Sequence, residues 1–189
     1  SFQACSFFYG VHGVIILGNT GAGKTSLALS FALNGVGFLS DDLTPVVLKE
    51  GVPKIWPQNR KVKLRSDTIG QLKIDAEELT DAESGTGKKY LHIGRAAEEQ
   101  QKLRTIIKIE TGEVKEPVFK DLSSTEKFAV LRGEICSWEY LAGMPETEAE
   151  YLRQLVQIIE KVRFVRVVRP VEIAIPDMHE AVDNFLRQL

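Results

Sequence analysis

Gly18-Asn19-Thr20-Gly21-Ala22-Gly23-Lys24-Thr25 decides how the rest of the chain is read. These residues fit the pattern G-x-x-x-x-G-K-[ST], in which a glycine-rich loop wraps a phosphate between a buried strand and a helix. Both flanks agree. Val14-Ile15-Ile16-Leu17 is a continuous apolar run of strand length, and Ser26 to Asn34 carries Leu27, Ala28, Leu29, Phe31, Ala32 and Leu33 around most of a helical circumference. Glycines at 18, 21 and 23 let backbone N–H groups turn inward with no Cβ in the way, and the helix start adds its positive end. Lys24 supplies a mobile charge for the β- and γ-phosphates, and Thr25 a hydroxyl ligand for Mg²⁺. Gly18, Asn19, Thr20, Gly21, Ala22, Gly23, Lys24, Thr25 and Ser26 are therefore the candidate nucleotide-binding set. A dinucleotide site is disfavoured, because Gly21-Ala22-Gly23 is followed by Lys-Thr rather than by x-x-Gly.

Past the helix, Gly35 is placed to end it in a left-handed cap, and Ser26, Ser30 and Asn34 form a narrow polar stripe along it. Gly37-Phe38-Leu39 reads as a second buried strand that ends at Ser40-Asp41-Asp42. The C-terminal end of such a strand is where ligands of open α/β sheets gather. Neighbouring side chains on an extended segment point to opposite faces, so the two acids divide their work. One carboxylate can serve the metal shell, and the other can accept a proton from an attacking hydroxyl. Lys24, Asp41 and Asp42 are the candidate catalytic residues.

From Thr44 to Leu64 the pattern shifts to short extended pieces, with strands expected over Pro45–Lys49 and Val52–Trp56, which fit a β-meander. Residues 80–89 have the composition of a mobile loop. Strands are expected near Tyr90–Ile93, Leu103–Ile109 and Phe164–Val168. Three later helices are announced by capping boxes: Ser123 with Glu126, Thr147 with Glu150, and a looser Asp177 with Glu180. The expected architecture is an α/β domain over residues 1–189, with a mixed central sheet, flanking helices and a β-meander wing.

Composition narrows the partners. The chain has 189 residues, with 24 Lys+Arg against 26 Asp+Glu for a formal charge of −2, so it offers no electrostatic case for nucleic acid. Hydrophobic residues make up 43% and charged ones 26%, the balance of a globular domain. No basic residue precedes the apolar start and Lys24 is the first positive charge, so neither a signal peptide nor a membrane span is expected. Cys5 and Cys136 are too few for a disulfide framework; both read as small buried hydrophobes in a cytoplasmic protein.

The segments Val14 to Leu29 and Gly37 to Pro45 resemble the kinase domain of HPr serine kinase/phosphorylase and its shorter HPr-kinase-like relatives, which share the phosphate loop of phosphoenolpyruvate carboxykinases. In that family the loop, a short helix and an Asp-Asp pair follow in the same order. The resemblance implies an ATP- and Mg²⁺-dependent serine kinase, with Asp42 as catalytic base, and Thr25 and Asp41 at the metal. It also implies a tendency to form homo-oligomers. Two departures argue against a phosphorylase activity and against HPr itself as acceptor. The family's strand histidine is replaced by Gln3 or Cys5, and no Glu-Ile-Arg-Gly segment occurs at the family's place, since Arg132-Gly133 comes much too late. The relatives lacking these features are often encoded beside peptide-modification systems, which leaves a protein or peptide serine, or a small-molecule hydroxyl, as the acceptor. A nucleotide-binding regulatory module without transfer is the alternative, and a small P-loop GTPase comes after it.

Asp67-Thr68-Ile69-Gly70-Gln71 matches the D-x-x-G-Q of GTPase switches. The preceding Lys61-Val62-Lys63-Leu64-Arg65-Ser66 is too charged for a buried strand, however, and no Asn-Lys-x-Asp motif appears, so 66–72 reads as a short helix or turn capped by Ser66 or Asp67. Lys54, Arg60, Lys61, Lys63 and Arg65 read first as a solvated face and second as a dock for phosphates or an acidic substrate. Lys88, Lys89 and Arg95 flank the expected loop and could act as a lid charge. His92 reads as a strand histidine. Arg163, Arg166 and Arg169 read as exposed positions of one strand, and Trp56 and Trp138 as packing residues.

Overall fold

Alternation along the apolar strand sets the two cores. In the computed structural model, which describes residues 1–58, 61–82, 88–93, 99–134 and 145–189, Val14 and Ile16 face one side of the central sheet and Ile15 and Leu17 the other. All four are buried, as expected of a strand covered on both faces. This strand, β2 (His12–Leu17), pairs in parallel with β9 (Gln101–Gly112), and β9 pairs in parallel with β11 (Arg163–Pro170). A tight turn at Gly10-Val11 returns β1 (Cys5–Tyr9) against β2, so that β1 lies antiparallel between β2 and β3 (Gly37–Ser40). On the far edge β10 (Val118–Asp121) runs antiparallel to β11. The order is β10-β11-β9-β2-β1-β3. A hairpin of β4 (Val46–Lys49) and β5 (Val52–Ile55) adds to the sheet through Ile55, opposite Gln101 at the start of β9.

The consequence for the site is directional. Because β2, β3, β9 and β11 run the same way, the loop after Leu17 and the acids after Ser40 open at one sheet edge. Helices α1 (Lys24–Leu33), α2 (Ser66–Leu72) and α5 (Ile175–Leu186) cover one face, and α3 (Ser124–Glu134) and α4 (Pro145–Lys161) the other. Against α5, the Phe31 ring lies 4.1 Å from the ring of His179, and Ser30 Oγ lies 2.9 Å from His179 Nδ1. Burial lowers the His179 pKa, which favours the neutral ring. Of the polar stripe expected on α1, Ser30 is buried under α5, Ser26 is half-buried and Asn34 is exposed.

The wing differs from a meander. Strands β6 (Lys61–Leu64), β7 (Leu79–Asp81) and β8 (Lys89–His92) form a separate antiparallel sheet in the order β6-β8-β7, so the last strand inserts between its predecessors. Lys61 and Lys63 did not prevent β6, because Val62 and Leu64 alternate with them into the core. Thr80, Asp81 and Lys89, expected in a loop, are strand residues, and 83–87 lie outside the described residues. Of the capping boxes, Ser123 and Glu126 form theirs: Ser123 N donates to Glu126 Oε2 at 2.9 Å and Glu126 N to Ser123 Oγ at 3.4 Å. Thr147 and Asp177 are inside helices that start earlier, at Pro145 and Ile175, with a proline in the first turn of each. Neither Ser66 nor Asp67 caps α2, whose N-cap is Arg65. Trp56, expected in packing, is 48% exposed.

Candidate functional site

The glycine-rich loop leaves β2 at Gly18, whose φ of +154° lies in the region glycine favours. There is no room for a side chain: an added Cβ would sit 2.5 Å from the Ile109 carbonyl oxygen of β9. The loop is closed by Ala22 N donating to Asn19 O at 3.0 Å, and it enters α1 through Gly23 at φ +98°. No side chain caps α1, and its first turn carries no acid, so its leading N–H groups face the loop opening unneutralised. Lys24 is folded back onto the loop, with Nζ donating to Gly18 O at 2.5 Å and Asn19 O at 3.2 Å.

Across from α1, the two acids separate, but not by the alternation of an extended segment: β3 ends at Ser40 and both acids lie in the bend that follows. Asp41 is buried, and its Oδ1 accepts from Thr25 Oγ1 at 2.8 Å and from Cys5 Sγ at 2.9 Å. Burial raises the Asp41 pKa, outweighing the hydrogen bonds from Cys5 and Thr25, which lower it. Burial and the neighbouring Asp41 charge also push the Cys5 thiol up, so the thiol keeps its proton and donates. Cys5 is thus buried as expected, but it is a working donor rather than a small hydrophobe. Asp42 adopts a left-handed φ of +64°, which turns its side chain out of the sheet, while its carbonyl accepts from Ala4 N at 3.1 Å. A buried hydroxyl chain fixes this corner: Ser6 Oγ to Ser40 Oγ at 2.5 Å, Ser40 Oγ to Thr44 Oγ1 at 2.6 Å, and Thr44 Oγ1 to Ala4 O at 3.0 Å. Each hydroxyl has a partner, so the network holds the acids without leaving a buried polar group unpaired.

Lys24, Thr25 and Asp42 open into one cleft of about 240 Å³, whose other walls include Gln3, Lys63 and Arg65. Three of these groups are cationic, which suits an anionic ligand. A second cleft of about 370 Å³ adjoins it beneath α5, with Leu27, Ile109, Ile173, Ile175 and Met178 among its walls. At the other side of the loop, Asn19, Thr20, Gly21 and Ala22 line a cavity of about 640 Å³ with Lys108, whose ammonium pairs with Glu134 at the end of α3. Arg169, at the end of β11, donates from Nε to Ala22 O at 2.9 Å and from Nη1 to Pro170 O at 3.0 Å, so it braces the loop from behind.

No family model matches the chain, and no curated protein matches it in sequence. Among solved structures it is similar to the HPr(Ser) kinase/phosphatase from Coxiella burnetii, with a TM-score of 0.50 and 12% identity over 99% of this chain and 93% of that chain. The fold is HPr-kinase-like. At that identity the likeness speaks for the architecture, and the chemistry of this chain rests on its own residues.

Within the HPr-kinase-like fold, Gln3 and Cys5 both lie at the site: Gln3 lines the smaller cleft and Cys5 touches Thr25 and Asp41. Lys63 and Arg65 line that cleft too, where a solvated face was the first expectation. Their signal was the short distance from a buried strand to the start of α2, which carries Arg65 to the loop opening. Lys88 and Lys89 line neither cleft, and Lys89 pairs with Asp81 at 3.0 Å, so the expected lid charge is not found in them. Arg60, Gly87, Arg95, Cys136 and Trp138 lie outside the described residues. The switch-like motif is a helix, and Gln71 Oε1 accepts from Ile175 N at 2.8 Å, so it is committed to holding α5. Arg163 and Arg166 are paired with Asp121 and Glu110, whereas Arg169 faces the loop rather than water.

Proposed function

We propose that residues 1–189 act as one HPr-kinase-like phosphotransferase domain that uses ATP and Mg²⁺ to phosphorylate a hydroxyl, with a protein or peptide serine as the preferred class of acceptor. The observation that carries the reading is the Thr25 hydroxyl 2.8 Å from the buried Asp41 carboxylate, beneath a cleft into which Lys24 and Asp42 also open. The loop amides and the uncapped start of α1 take the phosphate charge, and Lys24 exchanges the carbonyls of Gly18 and Asn19 for phosphate oxygens. Two hard oxygen donors side by side fit Mg²⁺. Among the described residues there is no group of three His, Cys, Asp or Glu that could hold a metal, so the ion would complete its shell with phosphate oxygens and water, as Mg²⁺ commonly does. When bound at Thr25 and Asp41, it would neutralise charge on the transferring group.

In the transfer, the acceptor oxygen bonds to the γ-phosphorus, the bond from that phosphorus to the β-bridging oxygen breaks, and the acceptor proton passes to Asp42. A carboxylate is a weak base for an alcohol, but phosphoryl transfer through a loose transition state releases that proton late. Asp42 suits this role better than Asp41, because Asp42 is exposed at the cleft and Asp41 is occupied by Thr25 and Cys5. Gln71, bonded to α5, is unavailable to orient a water, which disfavours the GTPase reading. Among the described residues no helix is long and apolar enough to cross a membrane.

The test is incubation with γ-labelled ATP, Mg²⁺ and cell extract. A labelled acceptor is expected with wild type, loss of both binding and label with Lys24→Ala, and retained binding without label in Asp42→Asn. Tight ATP binding with no labelled acceptor would favour a regulatory module, and equal loss of binding in both variants would contradict the assigned roles.

A further inference from the structure

Two clefts meet at one wall. Gly21, Gly23, Ser26, Asp67 and Thr68 line both the 240 Å³ cleft that holds Lys24 and Asp42 and the 370 Å³ cleft, whose walls mix Leu27, Ile173 and Met178 with Gln71, Arg169 and Glu172. If a triphosphate occupies the first, a base fits the second, where apolar side chains would take the faces of a flat heterocycle and the polar ones its edge. The sugar that joins them must then pass the shared wall. That step rests on the nucleotide reading proposed above.

The chemistry of the wall is selective. Its two hydroxyls bond to each other, Ser26 Oγ lying 3.1 Å from Thr68 Oγ1, which uses one of their two protons. Gly21 and Gly23 offer no side chain. Asp67 is exposed, and among the described residues its carboxylate makes no hydrogen bond or ion pair. An ionised carboxylate only accepts, and it repels phosphate oxygens, which have no proton to offer. On a nucleotide, the ribose hydroxyls are the neutral O–H donors that such a group can take, and a charge-assisted bond of this type is among the stronger ones available.

We propose that Asp67 recognises the ribose of the bound nucleotide by accepting from its 2′- and 3′-hydroxyls, with the base in the cleft beneath α5. The switch-like motif of the sequence thereby acquires a use: its aspartate reads the sugar, and its glutamine holds the start of α5, which walls the base cleft. Asp67 is a specificity-determining residue in this account and takes no part in phosphoryl transfer.

Titration calorimetry with Mg²⁺ tests it, using ATP, 2′,3′-dideoxy-ATP and tripolyphosphate against wild type, Asp67→Asn and Asp67→Ala. Wild type is expected to bind ATP at least tenfold tighter than the dideoxy analogue. Asp67→Ala should erase most of that gap by weakening ATP alone, while tripolyphosphate binds as before; Asp67→Asn, which keeps one acceptor oxygen, should fall between. Equal wild-type affinity for ATP and the dideoxy analogue overturns the ribose proposal while leaving the nucleotide reading intact. Equal weakening of tripolyphosphate and ATP in Asp67→Ala also overturns it, and assigns Asp67 to the phosphates or their metal. Failure of every ligand to bind wild type sinks both.

Discussion

Gly18→Ala should destabilise the protein by an amount that follows from the packing around Gly18. The added Cβ would lie 2.5 Å from Ile109 O, 2.9 Å from Ile109 Cγ2 and 3.3 Å from Ala22 Cβ. The carbonyl belongs to β9, where Ile109 pairs with Val167 of β11 and directly follows Lys108, the last residue paired with β2, so it has little freedom to withdraw. Gly21→Ala is the internal control. Gly21 also has a positive φ, +84°, but nothing lies within 4 Å of its hypothetical Cβ. Both variants carry a backbone penalty of about 1–3 kcal/mol, because φ of +154° and +84° are both strained for an L-residue. Only Gly18→Ala adds overpacking, which costs about 1–3 kcal/mol in a close-packed interior. For a chain of this size each kcal/mol moves the melting temperature by roughly 2–4 °C, so Gly18→Ala should melt roughly 4–8 °C below Gly21→Ala if overpacking contributes about 2 kcal/mol. Calorimetric melting of the three proteins at one concentration and buffer measures this. Equal melting temperatures for the two variants would refute the claim that Gly18 is required by packing against β9, and would leave phosphate access as its sole role.

Asp41→Asn should abolish phosphoryl transfer without weakening the fold at pH 7. Burial raises the Asp41 pKa above its ordinary 3.8, so between that value and the raised one the folded chain binds the proton more tightly than the unfolded chain does. The wild-type contribution is thus most favourable below pH 4 and is lost as pH rises through the folded value, whereas asparagine has no such dependence. The melting temperature of Asp41→Asn relative to wild type should rise between pH 4 and pH 7; a constant difference would contradict the assigned cause. Arg169→Met removes the Nε donor to Ala22 O and should cost about 1–2 kcal/mol in urea unfolding, with weaker ATP binding as the brace on the loop is lost. Unchanged affinity would show that the loop holds its shape unaided.

Much of the site was legible because its signals are local. The loop pattern, the apolar strand before it, the helix after it and the Asp-Asp pair all lie between Val14 and Asp42, and the fold sets them at one edge as the spacing suggested. What escaped depends on pairing across distance. Cys5 reads as apolar by type; its role as a donor appears only when β1 lies beside β3 and brings it to Asp41, thirty-six residues away. The place of β8 between β6 and β7, and of β1 between β2 and β3, is decided by which apolar faces can be buried together, and no local pattern encodes it. Strand β10 escaped for another reason: it is an edge strand, with Val118, Lys120 and Asp121 exposed, and carries little hydrophobic signal. At α4 and α5 the prolines were a better start signal than the acidic boxes, since Pro145 and Ile175-Pro176 open the helices two or three residues earlier. Residues 66–72 are legible locally as a short helix or turn, but the position of α2 between two clefts depends on the assembled sheet.

In the proposed reaction the loop after β2 grips a triphosphate while Asp42 faces its far end. A crystal structure with Mg²⁺ and a non-hydrolysable ATP analogue tests it most directly. The expected result is phosphates lying against the loop amides, Lys24 released from Gly18 O, and Asp42 directed at the terminal phosphorus. A loop left empty at millimolar analogue, with Lys24 still bound to Gly18 O, would contradict it.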